Sequence, residues 1–237
     1  MTKKVNTKFK KLIKYYNLIN HDLIYENSSI NRYENKIKNL DKNKAELLIK
    51  LRNSLRNIKN CSLKKSATNL VFSDGNAESK IMIVGEGPGA NEDKEGLPFV
   101  GRAGKLLDKM LASIKLDRKN VYITNVVNYR PPENRKPTEE EVSRYFPYLI
   151  KHIEIIGPKI LILLGSTALN TIIGNEQVIS KARGKWNEKK IGNCTTFVIA
   201  SFHPAFLMRQ PEQKKMAWVD LKMIRQKIKD LKIKIEK

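Results

Sequence analysis

The sequence predicts an α/β protein of three layers, α/β/α, in which a four-stranded, mainly parallel sheet lies between helices. From about residue 71 onward, short apolar runs that are typical of buried strands alternate with longer segments of helical periodicity. The segments between consecutive strands are long enough to hold a helix, and such crossovers connect parallel strands. The chain has 237 residues, of which 41% are apolar, so it can bury a core of this size.

The first strand is predicted at residues 81–84, four apolar residues that are followed by the glycine-rich turn GEGPG at 85–89. Glycine permits a tight turn or a close approach, and proline fixes one torsion. A loop carrying Phe99 follows, and a helix begins near Arg102. This segment is either a plain strand-to-helix turn or a ligand site at the carboxyl end of a strand.

The remaining elements follow in alternation along the chain. Three further strands are predicted at residues 121–125, 159–164 and 195–201, and helices at 103–115, 139–156, 166–173 and from 214 onward. Thr138 precedes three glutamates, which indicates an N-cap and a favourable acidic first turn for the helix at 139–156.

Polar side chains stand at or beyond the ends of three of these strands. Glu86 follows the first strand, Asn125 ends the second, and His203 follows the fourth. Because the carboxyl ends of parallel strands share one edge of a sheet, we expect the three to converge on one crevice.

The amino-terminal part differs in composition from the rest. Residues 1–57 are rich in Lys, Asn, Ile and Leu and contain no Gly or Pro, so we predict a Lys-rich helical extension there and a catalytic domain at 58–237. A helix is expected at 42–58, with Ala45, Leu48, Leu51 and Leu55 facing inward.

Charge and cysteine content restrict the classes of protein. The net charge is +22, from 46 Lys and Arg against 24 Asp and Glu, which fits either a polyanionic partner such as nucleic acid or a general bias toward Lys, Asn and Ile. The two cysteines, Cys61 and Cys194, can form neither a disulfide framework nor a four-cysteine metal site. No run of about 18 apolar residues exists, so we predict no membrane span and a cytoplasmic location.

Two loops suit contact with nucleic acid, although each has a plainer interpretation. In HPAFLMR, at 203–209, an apolar tip next to Arg209 suits a wedge entering a base stack, or the segment is a strand-to-helix loop with Leu207 buried. In NYRPPENR, at 128–135, a rigid basic loop could lie along a phosphate backbone, or it is a proline-stiffened turn.

Together, residues 63–220 resemble family 4 of the uracil-DNA glycosylases. The resemblance rests on seven motifs in order, GEGPGANED, LPFVGRAGKLLD, ITNVV, RPPENR, LLGSTAL, RGKW and HPAFLMR. It implies a four-stranded parallel sheet between helices. It also implies an enzyme of base-excision repair that flips uracil out of DNA and hydrolyses its N-glycosidic bond, leaving an abasic site.

The resemblance also implies roles for individual residues. His203 would stabilise the charge that develops on uracil O2, Asn125 would pair with the uracil edge, and Phe99 would stack on the flipped base. Glu92 would orient the attacking water, and Glu86 with Gly87 would shape the pocket floor. Contacts to DNA are implied for Arg130, Arg135, Leu207 and Arg209.

The chain departs from the resemblance at the cofactor. Family 4 members bind a [4Fe–4S] cluster through four cysteines, and the matching positions here are Ile58, Cys61, Tyr129 and Tyr145. One thiolate in four cannot hold the cluster, so we predict no cofactor and no metal. We expect these four side chains to form a packed plug instead.

Two rival functions belong to other classes. A non-catalytic DNA-binding or polymerase-accessory protein could keep the same fold, although it would have no need for the pocket residues. A nucleotide-binding α/β protein is disfavoured because no Lys-Ser/Thr pair follows the glycines. We expect a monomer that acts on uracil-containing DNA; the residues leave open the strandedness of that DNA and activity on hypoxanthine or xanthine.

Overall fold

The computed structural model describes residues 32–174 and 177–235, with side chains from residue 43 onward. The chain divides into two compact units, Met1–Leu40 and Asp41–Lys237. In the first unit, the described residues 32–40 are helical. Most of the predicted extension at 1–57 lies outside the described residues, so the boundary between 57 and 58 stays a prediction.

Helices and strands alternate along the described part of the chain. The helices are α1 (Arg32–Arg56), α2 (Ser62–Ser66), α3 (Ala90–Glu95), α4 (Arg102–Ser113), α5 (Glu139–Ile156), α6 (Ser166–Ile173), α7 (Ile179–Ala182), α8 (Pro204–Arg209) and α9 (Lys214–Asp230). The strands are β1 (Asp74–Gly75), β2 (Ile81–Gly85), β3 (Tyr122–Asn125), β4 (Ile160–Leu164), β5 (Trp186–Ile191) and β6 (Cys194–Ser201). None of the described helices is long and apolar enough to cross a bilayer.

The sheet has the order β1-β3-β2-β4-β6-β5. The four predicted strands form its centre and pair in parallel, as expected. The structure adds β1 and β5, which pair antiparallel at the two edges. The sequence did not reveal these strands because β1 has only two residues and β5, WNEKKI, has mostly polar side chains, as edge strands facing water commonly do.

Both faces of the central strands are buried, which confirms the three-layer architecture. Along β2, Met82 and Val84 belong to one core cluster, whereas Ile81 and Ile83 belong to another on the opposite face. This alternation follows from the two-residue period of a strand, and burial on both faces explains why β2 is continuously apolar.

Helix α1 packs on the first of these clusters. Leu51 and Leu55 are buried as predicted, and Leu47 and Leu48 are half-buried. The inward orientation expected for Ala45 is wrong, because Ala45 is exposed. The buried stripe runs instead through positions 47, 48, 51 and 55, at the helical spacing of three to four residues.

Candidate active site

A cavity of about 180 Å³ opens where β2, β3 and β6 end. It is smaller than the roughly 300–1,000 Å³ of pockets for drug-sized ligands, so it suits one small group. The predicted convergence of Glu86, Asn125 and His203 on one crevice is confirmed. The other lining residues are Gly87, Pro88, Gly89, Glu92, Phe99, Ala103, Pro131, Asn134, Arg135, Pro137 and Ala205.

Asn125 lines this cavity and carries an unpaired acceptor. Its side chain is 3% exposed, and among the described residues its Oδ1 atom has no hydrogen-bond partner. A buried polar group without a partner costs about 1–3 kcal/mol, a cost that a ligand donating a hydrogen bond to Oδ1 would remove. Gly85 lies beside Asn125 in the sheet register, and a Cβ atom at position 85 would come within 2.5 Å of both Asn125 Oδ1 and Phe99 Cζ.

Phe99 forms a wall of the cavity. Its ring is 5% exposed, and its centroid lies 5.5 Å from that of the His203 ring, with the planes 29° apart. The backbone at Phe99 is left-handed, with φ of 55°, which residues other than glycine rarely adopt. Contacts outside the residue must therefore hold it in place.

His203 is the N-cap residue of α8, and this fixes its tautomer. Its Nδ1 atom accepts a hydrogen bond of 3.2 Å from the backbone N–H of Ala205, so the proton of the neutral ring lies on Nε2. Burial of the ring, reinforced by the positive charge of Arg209 and opposed by Glu92, lowers the pKa of His203 to about 4. At neutral pH the ring is uncharged and offers one N–H donor.

The two carboxylates of the cavity have different surroundings. Glu86 accepts a hydrogen bond from the hydroxyl of Thr167. The two oxygens of Glu92 accept backbone N–H groups from Gly89, at 3.1 Å, and Gly101, at 2.8 Å. Glu92 therefore ties the glycine turn to the start of α4, and each of its oxygens keeps a further lone pair.

Two of the predicted DNA-binding arginines are partly engaged within the protein. Arg135 donates two hydrogen bonds, of 2.8 and 2.7 Å, to Glu141, and this forked contact holds the pKa of the Glu141 carboxyl below its usual value. The pair ties the 128–135 loop to the first turn of α5. Arg130 donates to Asn134 at 2.9 Å, whereas Arg209, in the last turn of α8, is exposed.

Of the two interpretations of the segment at 203–209, the structure confirms the one in which Leu207 is buried, and the exposed apolar tip at Leu207 is wrong. Leu207 is 1% exposed and belongs to the core cluster on the α4 and α9 side of the sheet. Residues 204–209 form a helix, and Pro204 and Leu207, three residues apart, lie on its inner face. A contact from buried Leu207 to a base stack is therefore ruled out in this conformation; Phe206 and Met208 are half-buried.

The four positions implied as cluster ligands are all buried, as a packed plug requires. The exposed fractions are 7% for Ile58, 4% for Cys61, 5% for Tyr129 and 0% for Tyr145, and all four belong to one core cluster. The Sγ atom of Cys61 lies 3.1 Å from the hydroxyl oxygen of Tyr145. Burial raises the pKa of both tyrosines, so they remain neutral.

These side chains do not fit an iron–sulfur cluster. One thiol stands where four are needed, and two bulky rings fill the space. Over the described part of the chain, no group of three or more His, Cys, Asp or Glu residues could hold a metal ion.

Sequence reasoning missed a buried ion pair at the end of β6. Arg183 donates to both carboxylate oxygens of Asp220, which also accepts the hydroxyl of Ser201 at 2.7 Å. The guanidinium lies 5.4 Å from the ring of Phe202, the neighbour of His203. The RGKW motif marked this arginine, but the partner stands 37 residues away and had no signal of its own.

Known proteins are similar to this chain over the range that holds the cavity residues. A family model described as the uracil DNA glycosylase superfamily matches residues 72–222. A type-4 uracil-DNA glycosylase of Sulfurisphaera tokodaii is 42% identical over 184 residues, which cover 76% of this chain and 84% of that protein. Similar enzymes, also named type-4 uracil-DNA glycosylases, come from two other organisms. The Archaeoglobus fulgidus protein is 44% identical over 69% of this chain and 84% of its own length. The Thermotoga maritima protein is 45% identical over 63% of this chain and 77% of its own length.

Proposed function

The chain belongs to the uracil-DNA glycosylase superfamily, and from this premise we infer that it is a uracil-DNA glycosylase, an enzyme that hydrolyses the N-glycosidic bond of uracil in DNA. Relatives that carry this activity in their names are 42–45% identical over 63–76% of this chain. The observation that carries the site assignment is the cavity that Asn125 and His203 both line, together with the Oδ1 atom of Asn125, which has no hydrogen-bond partner among the described residues.

Asn125 is proposed to select uracil. Its free Oδ1 would accept the N3–H of uracil, and its amide N–H would donate to O4. Cytosine presents an acceptor at N3 and a donor at the neighbouring position, so it would meet the amide with both groups mismatched. Burial strengthens the preference for uracil over cytosine, because mismatched polar groups in the cavity cannot form hydrogen bonds to water instead.

Phe99 is proposed to stack on the flipped base. Its ring forms a flat wall of the cavity next to the amide of Asn125, and stacking of a base on an aromatic ring is worth about 1–3 kcal/mol. The base must leave the DNA stack to reach this wall.

His203 is proposed to stabilise the leaving group. As the glycosidic bond breaks, its electron pair passes to the uracil ring and negative charge grows on O2. A neutral imidazole with its proton on Nε2 would donate to that oxygen without losing the proton. A donor of this type is typically worth about 10²- to 10³-fold in turnover.

Hydrolysis also needs a water at C1′ of the sugar. Glu86 and Glu92 line the cavity, and we assign the orientation of this water to Glu92, whose oxygens are held in place by two backbone N–H groups. The water oxygen would bond to C1′ as uracil departs, and the proton that the water loses would balance the charge of the uracil anion. The product is an abasic site.

DNA contact is proposed for the mouth of the cavity. Arg209 is exposed beside His203, and Arg130 is half-exposed on the opposite loop. Arg135 lines the cavity and keeps N–H groups beyond those it gives to Glu141. The proposed substrate is uracil-containing DNA, bound by a monomer in the cytoplasm.

We further propose that the enzyme works without the iron–sulfur cluster, because packed side chains join the segments that a cluster would join. Protein purified without oxygen should carry no stoichiometric iron and should keep its activity after treatment with a chelator. Bound iron in proportion to protein would contradict this proposal without touching the assigned activity.

The decisive assay follows release of uracil from a labelled oligonucleotide, with thymine, cytosine and hypoxanthine in matched oligonucleotides. We expect release of uracil and none of thymine or cytosine, and we expect Asn125→Ala with His203→Ala to abolish it. Binding of the oligonucleotide without release would favour the non-catalytic DNA-binding alternative.

A further inference from the structure

We propose that Arg118 is a positioning residue of this site, whose guanidinium clamps the two peptide groups beside Phe99 and thereby sets the angle of the ring in the cavity. The inference rests on the proposed function, since it gives Arg118 a role only if Phe99 contacts the flipped base. Arg118 is not among the residues that line the cavity, so it would act through Phe99 alone.

The contacts of Arg118 converge on one short stretch of backbone. Its guanidinium donates to the carbonyl oxygen of Pro98, at 3.2 Å, and to that of Phe99. These two carbonyls belong to the peptide groups on either side of the Phe99 Cα atom. Fixing both of them fixes φ and ψ of Phe99 together, and hence the direction of its Cα–Cβ bond.

The clamped residue is one that needs a clamp. Phe99 has a left-handed φ of 55°, a conformation that would relax if its neighbours allowed it. Helix α4 packs against the same turn, because a Cβ atom on Gly104 would lie only 1.7 Å from the carbonyl oxygen of Phe99. The carbonyl of Phe99 is therefore packed closely against glycine and bonded to Arg118.

Two carboxylates hold the guanidinium itself. Asp108 accepts from Nε at 2.9 Å, and its second oxygen lies 3.5 Å from a terminal nitrogen. Asp74 accepts from the other terminal nitrogen. Asp74 lies on β1, and the antiparallel pairing of this short edge strand with β3 places the carboxylate beside Arg118.

Only arginine can make this set of contacts. All three nitrogens of its planar fork are engaged, with two carbonyls and two carboxylates as partners. A lysine keeps the charge, but its single ammonium cannot span two carbonyls and two carboxylates in one plane. Arg118→Lys should therefore keep the ion pairing in part and release the Phe99 turn.

The test is a double-mutant cycle between Arg118→Lys and Phe99→Ala. Uracil release from a single-uracil oligonucleotide gives kcat/KM for the unaltered protein, each single variant and the double variant, and free uracil serves as an inhibitor that reports on the cavity alone. Thermal unfolding of all four proteins shows how much of any change is general loss of stability.

We expect Arg118→Lys to lower kcat/KM by about tenfold and to weaken inhibition by uracil to a similar degree, because a misplaced ring loses most of its stacking. When Phe99 is already alanine, Arg118→Lys should change kcat/KM and the inhibition by uracil by no more than about twofold each. The control is Arg144→Lys. Arg144 donates to one carboxylate, of Glu140, and to one carbonyl, of Lys59, and its side chain is 30% exposed against 27% for Arg118. Neither of these partners lines the cavity, so Arg144→Lys should leave kcat/KM unchanged.

Three results would overturn the inference. One is a folded Arg118→Lys protein with unchanged kcat/KM, another is a double variant in which the two losses multiply, and the third is a Phe99→Ala protein of full activity. If Arg118→Lys does not fold, Asp108→Asn loosens the same guanidinium and should give a smaller loss that again vanishes with Phe99→Ala. If the unaltered protein releases no uracil, the proposed function fails instead. The clamp can still be tested by calorimetry, and equal uracil affinity for the unaltered protein and Arg118→Lys would overturn it.

Discussion

The hydrogen bond between Cys61 and Tyr145 gives a quantitative test of the plug that occupies the positions of the implied cluster ligands. The side chains are 4% and 0% exposed, and their Sγ and Oη atoms are 3.1 Å apart. Among the described residues, this thiol is the hydrogen-bond partner recorded for the Tyr145 hydroxyl. Cys61→Ala should therefore do two things: remove one well-packed heavy atom and leave a buried hydroxyl without a partner.

The magnitudes follow from these two effects. Losing a buried group of about the size of one methylene costs about 0.8 kcal/mol, and stranding the hydroxyl costs about 1–3 kcal/mol. Cys61→Ala should lower the free energy of unfolding by about 2–4 kcal/mol. Tyr145→Phe leaves only a weakly polar thiol unpaired, so it should cost about 1 kcal/mol or less. Adding Tyr145→Phe to Cys61→Ala removes the stranded hydroxyl and should restore about 1–2 kcal/mol.

Urea unfolding at neutral pH measures all four free energies, and thermal unfolding checks them. About 2–4 °C of midpoint shift is expected per kcal/mol for a folded unit of this size. Cys194→Ala is the matched control: that thiol is half-buried at the start of β6 and has only long contacts to carbonyl oxygens, of 3.6 and 3.8 Å, so its loss should cost less than about 1 kcal/mol. Two results would refute the reasoning: losses of unfolding free energy that simply add for Cys61→Ala and Tyr145→Phe, or equal losses for Cys61→Ala and Cys194→Ala.

Three further predictions concern the cavity and the buried histidines. His203→Ala should lower kcat by roughly 10²-fold or more while DNA affinity stays within a few-fold, since the donor acts on charge that grows only as the bond breaks; unchanged turnover would remove His203 from the mechanism. Asn125→Asp should weaken uracil excision, because a carboxylate offers no donor to O4, and full activity in oligonucleotide assays would contradict the pairing. Burial lowers the pKa of His152 to about 3, so the unfolded chain, with an ordinary value near 6.5, binds this proton first as the pH falls. Stability should then drop by about 2–3 kcal/mol between pH 7 and pH 4.5 from this group, and urea unfolding of His152→Gln should show a smaller drop over the same range.

The sequence was sufficient for the centre of the fold. Continuous apolar runs such as residues 159–164 are explained by burial on both faces of a parallel strand, and the Thr138 cap with three glutamates marked the start of α5 at its observed position. The convergence of Glu86, Asn125 and His203 also followed from sequence, because parallel strands must end at one edge.

Sequence patterns did not predict elements that are very short, or which side chains of an apolar run are buried. Strand β1 has two residues and no periodicity, so only its pairing with β3 reveals it. The segment at 203–209 has one apolar run, and its letters cannot tell which side chain points inward. Helix geometry decides this by turning Pro204 and Leu207 to the core together.

What the sequence by itself determined was the set of chemical groups and the edge of the sheet where they meet, since local periodicity and strand direction are sufficient for both. What only the tertiary structure decided was how those groups are held. Arg118 reaches Phe99 across 19 residues, and Arg183 reaches Asp220 across 37. Such contacts depend on the packing of separate elements, and no local pattern records them. The tautomer of His203 is set locally by contrast, because the N-cap geometry of α8 aims the backbone N–H of Ala205, two residues along the chain, at Nδ1 and leaves the proton on Nε2.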